Sequence, residues 1–149
     1  MSQAGVDLET SLGYLLKEAS SALRQAMEEV LRPLGMSVTH YSCLELLAQR
    51  PGLSNSELAR GAFVTRQSMN VLLQTLERDG YVTRSAEAAI GKVLPTHLTP
   101  LGRRELEQAT VAVRSVEVRM LGGLTEAEQS GARRSLQSMI HSLRAGERA

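Results

Sequence analysis

The chain has 149 residues, of which 42% are hydrophobic and 22% charged, as expected for one folded domain with a buried core. This composition excludes disorder throughout the chain. The longest apolar runs, such as residues 71–73, fall far short of the roughly 20 residues of a membrane span, so no membrane partner is expected. We expect no secretory signal and no internal disulfide, since the start lacks a basic-then-apolar pattern and Cys43 is the single cysteine. These features favour a cytoplasmic protein.

The net charge of +1 conceals an uneven distribution along the chain. Residues 1–35 carry more acidic than basic side chains, whereas residues 54–104 carry seven basic and four acidic ones. A basic excess in the middle of the chain is a modest indication of a polyanionic partner, and a solvated surface can also produce it by chance.

The first third of the chain has the pattern of one long helix, and a shorter helix follows it. Apolar residues recur at spacings of three and four from Leu8 to Leu34, and Gly35 ends the pattern. The second helix is predicted to start near Ser37 and to stop before Pro51.

Two helices with well-marked starts form the centre of the chain. Ser54 and Glu57 make a capping box, in which the hydroxyl accepts from a helical N–H and the carboxylate reaches back. Residues 61–64 interrupt this short helix, and Thr65 caps a further helix that runs to about Asp79. The fourth helix has an apolar face and an opposite polar face, formed respectively by Met69, Leu72, Leu73 and Leu76 and by Gln67, Asn70 and Gln74.

A hairpin and two more helices complete the predicted order. Residues 81–84 are predicted to form a strand and residues 92–98 its return strand, which Pro95 confines to an edge or a bulge. Thr99 caps a long fifth helix, and Thr125 starts the sixth with a second capping box.

The order of these elements predicts a mainly α fold with a small β-wing, the winged helix-turn-helix. In such a domain the second helix of the motif presents polar side chains to base edges in the major groove. Gln67 and Asn70 can each pair with adenine, and Arg66 can reach guanine or a phosphate. Thr65 and Ser68 lie at the helix N-terminus, where hydroxyl and N–H groups favour phosphate. On the helix pattern alone, an ordinary αα-hairpin with a solvated polar face fits equally well.

Four segments closely resemble the MarR family of bacterial transcription regulators, namely residues 54–60, 65–70, 76–82 and 98–103. The resemblance implies a homodimer with a helical dimerisation region, residues 1–35 and 100–149, and a winged helix-turn-helix DNA-binding region, residues 36–99. It implies repression from a pseudo-palindromic operator in double-stranded DNA, relieved when a small, often phenolic, molecule binds. It further implies a bacterial cytoplasmic protein that is nucleoid-associated when bound to DNA.

The resemblance and the residue chemistry together select candidate site residues. Those for DNA binding are Ser54, Thr65, Arg66, Gln67, Ser68, Asn70, Gln74, Arg84 and Lys92. Among these, the two wing cations are expected to lie along the DNA backbone or in the neighbouring minor groove. Those for an aromatic or phenolic effector are Tyr14, His40 and Tyr41. Simple packing explains the two tyrosines equally well.

Two positions depart from the family's pattern. Residues 90–92 are Ile-Gly-Lys where the family's wing usually has Asp-Arg-Arg, so Lys92 alone keeps a charge and we expect weaker or differently placed minor-groove contact. Phe63 occupies a turn position where the helix-turn-helix pattern favours glycine. Because a bulky residue is costly at positive φ, we expect this turn to adopt another geometry with Phe63 packed inward.

Other chemistry finds little support in the sequence. Cys43 lies among apolar residues without a basic neighbour, which favours a packed thiol over an oxidation sensor. The three histidines have no metal-ligand spacing, and no cofactor motif or catalytic motif is present, so we expect neither a metal nor a cofactor nor an enzyme. The remaining alternative is a winged-helix dimer that acts as a protein-interaction module with weak or lost operator binding.

Overall fold

The computed structural model describes residues 5–84 and 94–146. The chain divides into two compact units, Met1–Val116 and Glu117–Ala149. The helices and strands in chain order are α1 (Leu12–Leu31), a 3₁₀ turn (Arg32–Leu34), α2 (Val38–Gln49), α3 (Asn55–Ala62), α4 (Arg66–Arg78), β1 (Val82–Arg84), β2 (Thr96–Leu98), α5 (Pro100–Leu121) and α6 (Glu126–Ala145). This order confirms the predicted mainly α fold with a small wing.

Helix α1 is shorter than the predicted first helix. Ser11 caps it by accepting a backbone N–H bond at 3.2 Å, so Leu8 lies outside the helix. The other end tightens into the 3₁₀ turn, because Pro33 has no N–H to donate to the helix ladder. Gly35 then takes the left-handed conformation, with φ of 70°, and ends the segment as predicted.

The starts of the next three helices follow from their caps. Ser37 accepts from the backbone N–H of α2 at 3.0 Å, and Thr65 accepts from that of α4 at 3.0 Å. Ser54 and Glu57 form the predicted capping box, with bonds of 3.2 Å and 3.1 Å. Each of these caps satisfies N–H groups that a helix start would otherwise leave unpaired.

The wing is a two-stranded antiparallel sheet in which Thr83 pairs with His97. The return strand β2 starts directly after Pro95, in agreement with an edge position for the proline. Residues 85–93, which include the predicted wing contact Lys92, lie outside the described residues. The strand predicted over residues 92–98 is therefore described only from residue 94 onward.

The first turn of α5 is held tightly against the wing. The Thr99 hydroxyl donates to the Gly80 carbonyl oxygen at 2.6 Å. A Cβ added at Gly102 would collide with the Tyr81 carbonyl oxygen, so only glycine allows this close approach. These contacts fix where α5 leaves the wing.

The core of the first unit draws on helices from both sides of the winged domain. Its buried residues come from the end of α1, from the segment before α2, from α2, α3, α4 and β1, and from the first half of α5: Leu31, Met36, Cys43, Leu44, Leu47, Leu58, Ala59, Met69, Leu73, Leu76, Val82, Leu106 and Ala109. The winged domain is therefore not closed by its own helices alone, since α1 and α5 supply part of its core.

The second unit contains the end of α5 and all of α6. Thr125 and Glu128 form the predicted capping box, with bonds of 3.1 Å and 2.9 Å. Large apolar side chains of α6 stay exposed, including Leu136, Ile140 and Leu143. Within residues 5–84 and 94–146, no helix is long and apolar enough to cross a membrane.

Candidate nucleic-acid interface

Helix α4 has the two faces that the sequence predicts. Met69, Leu73 and Leu76 are buried and anchor the helix in the core. Gln67 and Gln74 are exposed on the other side. Because its apolar face is fixed, the helix presents a defined row of amides to solvent.

The N-termini of α3 and α4 lie side by side. The Asn55 side-chain amide donates to the carbonyl oxygen of Arg66 at 3.3 Å, which joins the first residue of α3 to the first residue of α4. The Asn55 Oδ1 atom is buried without a partner among the described residues. Both helix starts therefore bring free N–H groups and the positive ends of their dipoles to one place.

A polar cleft of about 350 Å³ opens at this junction. Its lining combines two arginines with hydroxyl and amide side chains and one apolar residue: Ser54, Asn55, Ser56, Arg66, Asn70, Arg84 and Leu94. Four of these are predicted DNA-binding residues, and the structure brings them together from the cap of α3 (Ser54), from α4 (Arg66 and Asn70) and from the end of β1 (Arg84). A cleft with this donor set and charge suits a phosphate group.

Sequence reasoning missed Asn55 and Ser56 in this cleft. Both lie immediately after the Ser54 cap, and polar residues in the first turn of a helix are the signal that could have selected them. The partner of Asn55 is eleven positions away, however, and no local pattern reveals that bond.

Arg84, at the end of β1, turns toward helix α4. Its side chain is only 16% exposed, and its guanidinium donates to Asn70 Oδ1 and to Glu77 Oε1, each at 3.4 Å. The arginine thereby joins the root of the wing to two residues of α4 that lie about two helical turns apart. In this structure its charge faces Glu77, a residue that the sequence did not single out.

Phe63, in the turn between α3 and α4, contradicts the expectation from the sequence. The residue keeps the left-handed conformation, with φ of 60°, and its side chain is 85% exposed. Both parts of the prediction, the different geometry and the inward packing, are wrong. The turn needs a left-handed residue so that Val64 can bond back to the Ala59 carbonyl oxygen at 3.0 Å and pack on the core.

The effector candidates occupy different environments. Tyr14 is exposed on α1, and the Tyr41 hydroxyl donates to Glu45 of its own helix at 3.3 Å. His40 is largely buried, and its Nε2 atom lies 3.0 Å from Glu105 Oε1 on α5, although the two groups are not aligned for a hydrogen bond. The structure thus places these two neighbours in sequence in different surroundings. His40 lies in the interior beside Glu105 of α5, whereas Tyr41 bonds to a residue of its own helix.

His40, Tyr81 and Glu105 form a polar cluster between α2, α5 and the end of α4. The His40 and Tyr81 rings lie 5.9 Å apart, and a hydrogen bond to Glu105 raises the pKa of Tyr81. Burial lowers the pKa of His40, and the nearby carboxylates of Glu105 and Asp79 oppose this shift. Two opposing effects therefore act on the His40 imidazole. Burial favours its neutral form, and the nearby carboxylates favour its protonated form.

Cys43 is fully buried on α2. Burial raises the pKa of its thiol to about 12, which strongly disfavours the reactive thiolate. Among the residues that the structure describes, no group of three or more His, Cys, Asp or Glu side chains could hold a metal ion.

Known proteins resemble this chain along most of its length. The family model described as MarR family matches residues 34–89. The HTH-type transcriptional repressor Rv2887 of Mycobacterium tuberculosis is 40% identical over 135 residues, which are 91% of this chain and 97% of the relative. Two solved structures of Rv2887 are also similar. The complex with salicylic acid is 41% identical, covers 87% of this chain and 96% of the other, and gives a TM-score of 0.72. The complex with DNA is 39% identical, covers 87% and 98%, and gives a TM-score of 0.72.

Proposed function

Because the chain belongs to the MarR family and is a DNA-binding transcriptional repressor rather than an enzyme, we propose that α3, α4 and β1 form its operator-binding face. The observation that carries this proposal is the cationic cleft in which Ser54, Arg66, Asn70 and Arg84 meet beside the exposed amides of α4. The sequence left open an interaction module with weak or lost operator binding, but relatives such as Rv2887 and IacR are named as repressors, which favours the repressor.

The residues of this face divide into two roles. Ser54, Thr65, Ser68 and the two arginines bind phosphates, because they lie at helix starts or carry positive charge. The amides of Gln67, Asn70 and Gln74 contact base edges in the major groove. Lys92 contributes a phosphate or minor-groove contact from the wing, as a point charge without the fork of an arginine.

The protein acts as a dimer, and we assign pairing to residues 1–35 and 100–149. Exposed apolar side chains support this assignment in each unit separately, since α1 exposes Leu12 and Leu15 and α6 exposes Leu136 and Ile140. A two-fold dimer presents two copies of α4 about one turn of DNA apart, roughly 34 Å, and therefore requires a pseudo-palindromic operator in double-stranded DNA.

A small aromatic acid or phenol is the proposed effector, with Tyr14, His40 and Tyr41 as its candidate contacts. The complex of the similar repressor Rv2887 with salicylic acid supports this ligand class. Aromatic rings and an imidazole suit a flat ligand with one acidic group. We also propose that the protein is cytoplasmic and is nucleoid-associated when it is bound to its operator.

Footprinting and anisotropy on DNA that flanks the protein's own gene test this function. We expect a protected site with two-fold symmetry and an affinity that falls steeply with salt. Arg66→Ala should weaken binding and make the slope of log affinity against log salt shallower by about 1, because one phosphate contact is lost. Arg133→Ala removes an exposed arginine of α6 as the matched control, and in protein that light scattering shows to be dimeric it should change neither value. Weak binding that is indifferent to DNA sequence would favour the interaction module.

A further inference from the structure

The exposed ring of Phe63 has no role in the fold of the described residues. Phe63 is the one non-glycine residue among them with positive φ, and its side chain is 85% exposed. The hydrogen bonds of the turn use only its backbone, whose N–H bonds to the carbonyl oxygens of Ala59 and Arg60. Glycine would make the same bonds without the steric penalty that a Cβ meets in this conformation.

The position of the ring suggests what it contacts. Phe63 ends α3 and stands two residues before Thr65, the cap of α4. The exposed first-turn residues Arg66 and Gln67 follow directly, so the ring lies at the margin of the operator-binding face. An exposed aromatic side chain on a strained backbone costs free energy. Such a residue is expected at this margin where an apolar contact with DNA compensates that cost.

We propose that Phe63 packs against the apolar surface of an operator strand beside the N-terminus of α4. This inference rests on the proposed function. DNA offers two apolar groups at the edge of the major groove, the C5-methyl group of thymine and the C–H surface of deoxyribose, and phenylalanine is suited to contact with either. Phe63 thereby adds an uncharged contact to a face whose other contacts are ionic or hydrogen-bonded.

Substitutions at Phe63 separate this contact from a structural role, because stability and affinity should change in opposite directions. Phe63→Gly and Phe63→Asn both tolerate the left-handed conformation, so the melting temperature should rise. Operator affinity should nevertheless fall by roughly five- to tenfold, with an unchanged salt slope because no phosphate contact is lost. Phe63→Leu should retain part of the affinity.

Operators in which single thymines are replaced by deoxyuridine distinguish the two apolar groups. If the ring contacts a methyl group, one replacement should weaken the wild-type protein and leave Phe63→Gly unaffected. If it contacts deoxyribose, every replacement should affect both proteins equally, while Phe63→Gly stays weaker throughout. Equal operator affinity of the wild type, Phe63→Gly and Phe63→Asn would overturn the inference. Failure of the wild type itself to bind would instead contradict the proposed function.

Discussion

The contact between Arg84 and Glu77 predicts that the native protein restrains its own affinity for DNA. To bind a phosphate, Arg84 must leave the Glu77 carboxylate, which lies 3.4 Å away. The Glu77 side chain is 44% exposed, so the pair is partly screened by water and its net contribution is about 0.5–1 kcal/mol. The free energy of this ion pair is lost each time Arg84 moves to a phosphate. Glu77→Gln avoids that loss, because the variant has no ion pair to break.

The expected gain follows from the same quantity. A release of about 0.5–1 kcal/mol corresponds to about two- to fivefold tighter operator binding, since 1.4 kcal/mol is a factor of ten. The free energy of unfolding should fall by a similar amount, because the folded protein loses the same ion pair. Fluorescence anisotropy at several salt concentrations measures the first quantity, and urea unfolding measures the second. The gain in affinity should shrink as the salt concentration rises through the range in which binding is measurable, because salt screens the ion pair.

A control separates this effect from a simple change of net charge. Glu28 also pairs with an arginine, Arg24, at 3.3 Å, but on α1 and away from the operator-binding face. Glu28→Gln makes the same change in net charge, and in protein that light scattering shows to be dimeric it should leave operator affinity unchanged. If Glu77→Gln binds the operator no more tightly than the wild type, Arg84 does not exchange Glu77 for a phosphate, and its role is to fix the wing.

Two further predictions follow from the buried groups of α2. Because burial holds the pKa of His40 below 6.5 in the folded protein, the unfolded chain binds this proton first, and the free energy of unfolding should fall as pH decreases from 6.5 toward the folded-state pKa. His40→Gln should make this dependence shallower in urea titrations between pH 7.5 and 5.5, and an unchanged slope would contradict it. The Cys43 thiol, with a pKa of about 12, should react with iodoacetamide only after unfolding. Rapid alkylation of the native protein would show that the site opens.

Most of the fold could be predicted because its signals are local. The capping box of Ser54 and Glu57 involves residues three positions apart, and Thr65 likewise bonds within one turn. The long-range contacts of the site could not be predicted in this way. The bond from Arg84 to Asn70 spans 14 positions, and it depends on how the wing packs against α4. The spacing of apolar residues predicts which face of a helix is buried, but not which element packs against that face.

The wrong prediction at Phe63 has a different origin. It gave the steric cost of a left-handed phenylalanine more weight than the need of the turn to place Val64 and α4 correctly. A left-handed residue is disfavoured for phenylalanine by only about 1–2 kcal/mol. The turn, in contrast, positions Val64 on the core and sets the start of α4, whose buried face includes Met69. Burial of large apolar side chains contributes more than this local penalty, so the backbone keeps its geometry and the ring is displaced to solvent.

The polar cluster around Glu105 connects the candidate effector residues to the operator-binding face. His40 contacts Glu105 from α2, and Tyr81, which follows the end of α4, binds the same carboxylate. Thr99 fastens the start of α5 to the Gly80 carbonyl oxygen, so α5 and the end of α4 are joined at two adjacent points. A ligand that supplies its own acid to His40 competes with Glu105 for the imidazole. If the proposed effector binds there, this competition acts on Tyr81, which also bonds to Glu105, and hence on the end of α4, all within the unit of residues 1–116.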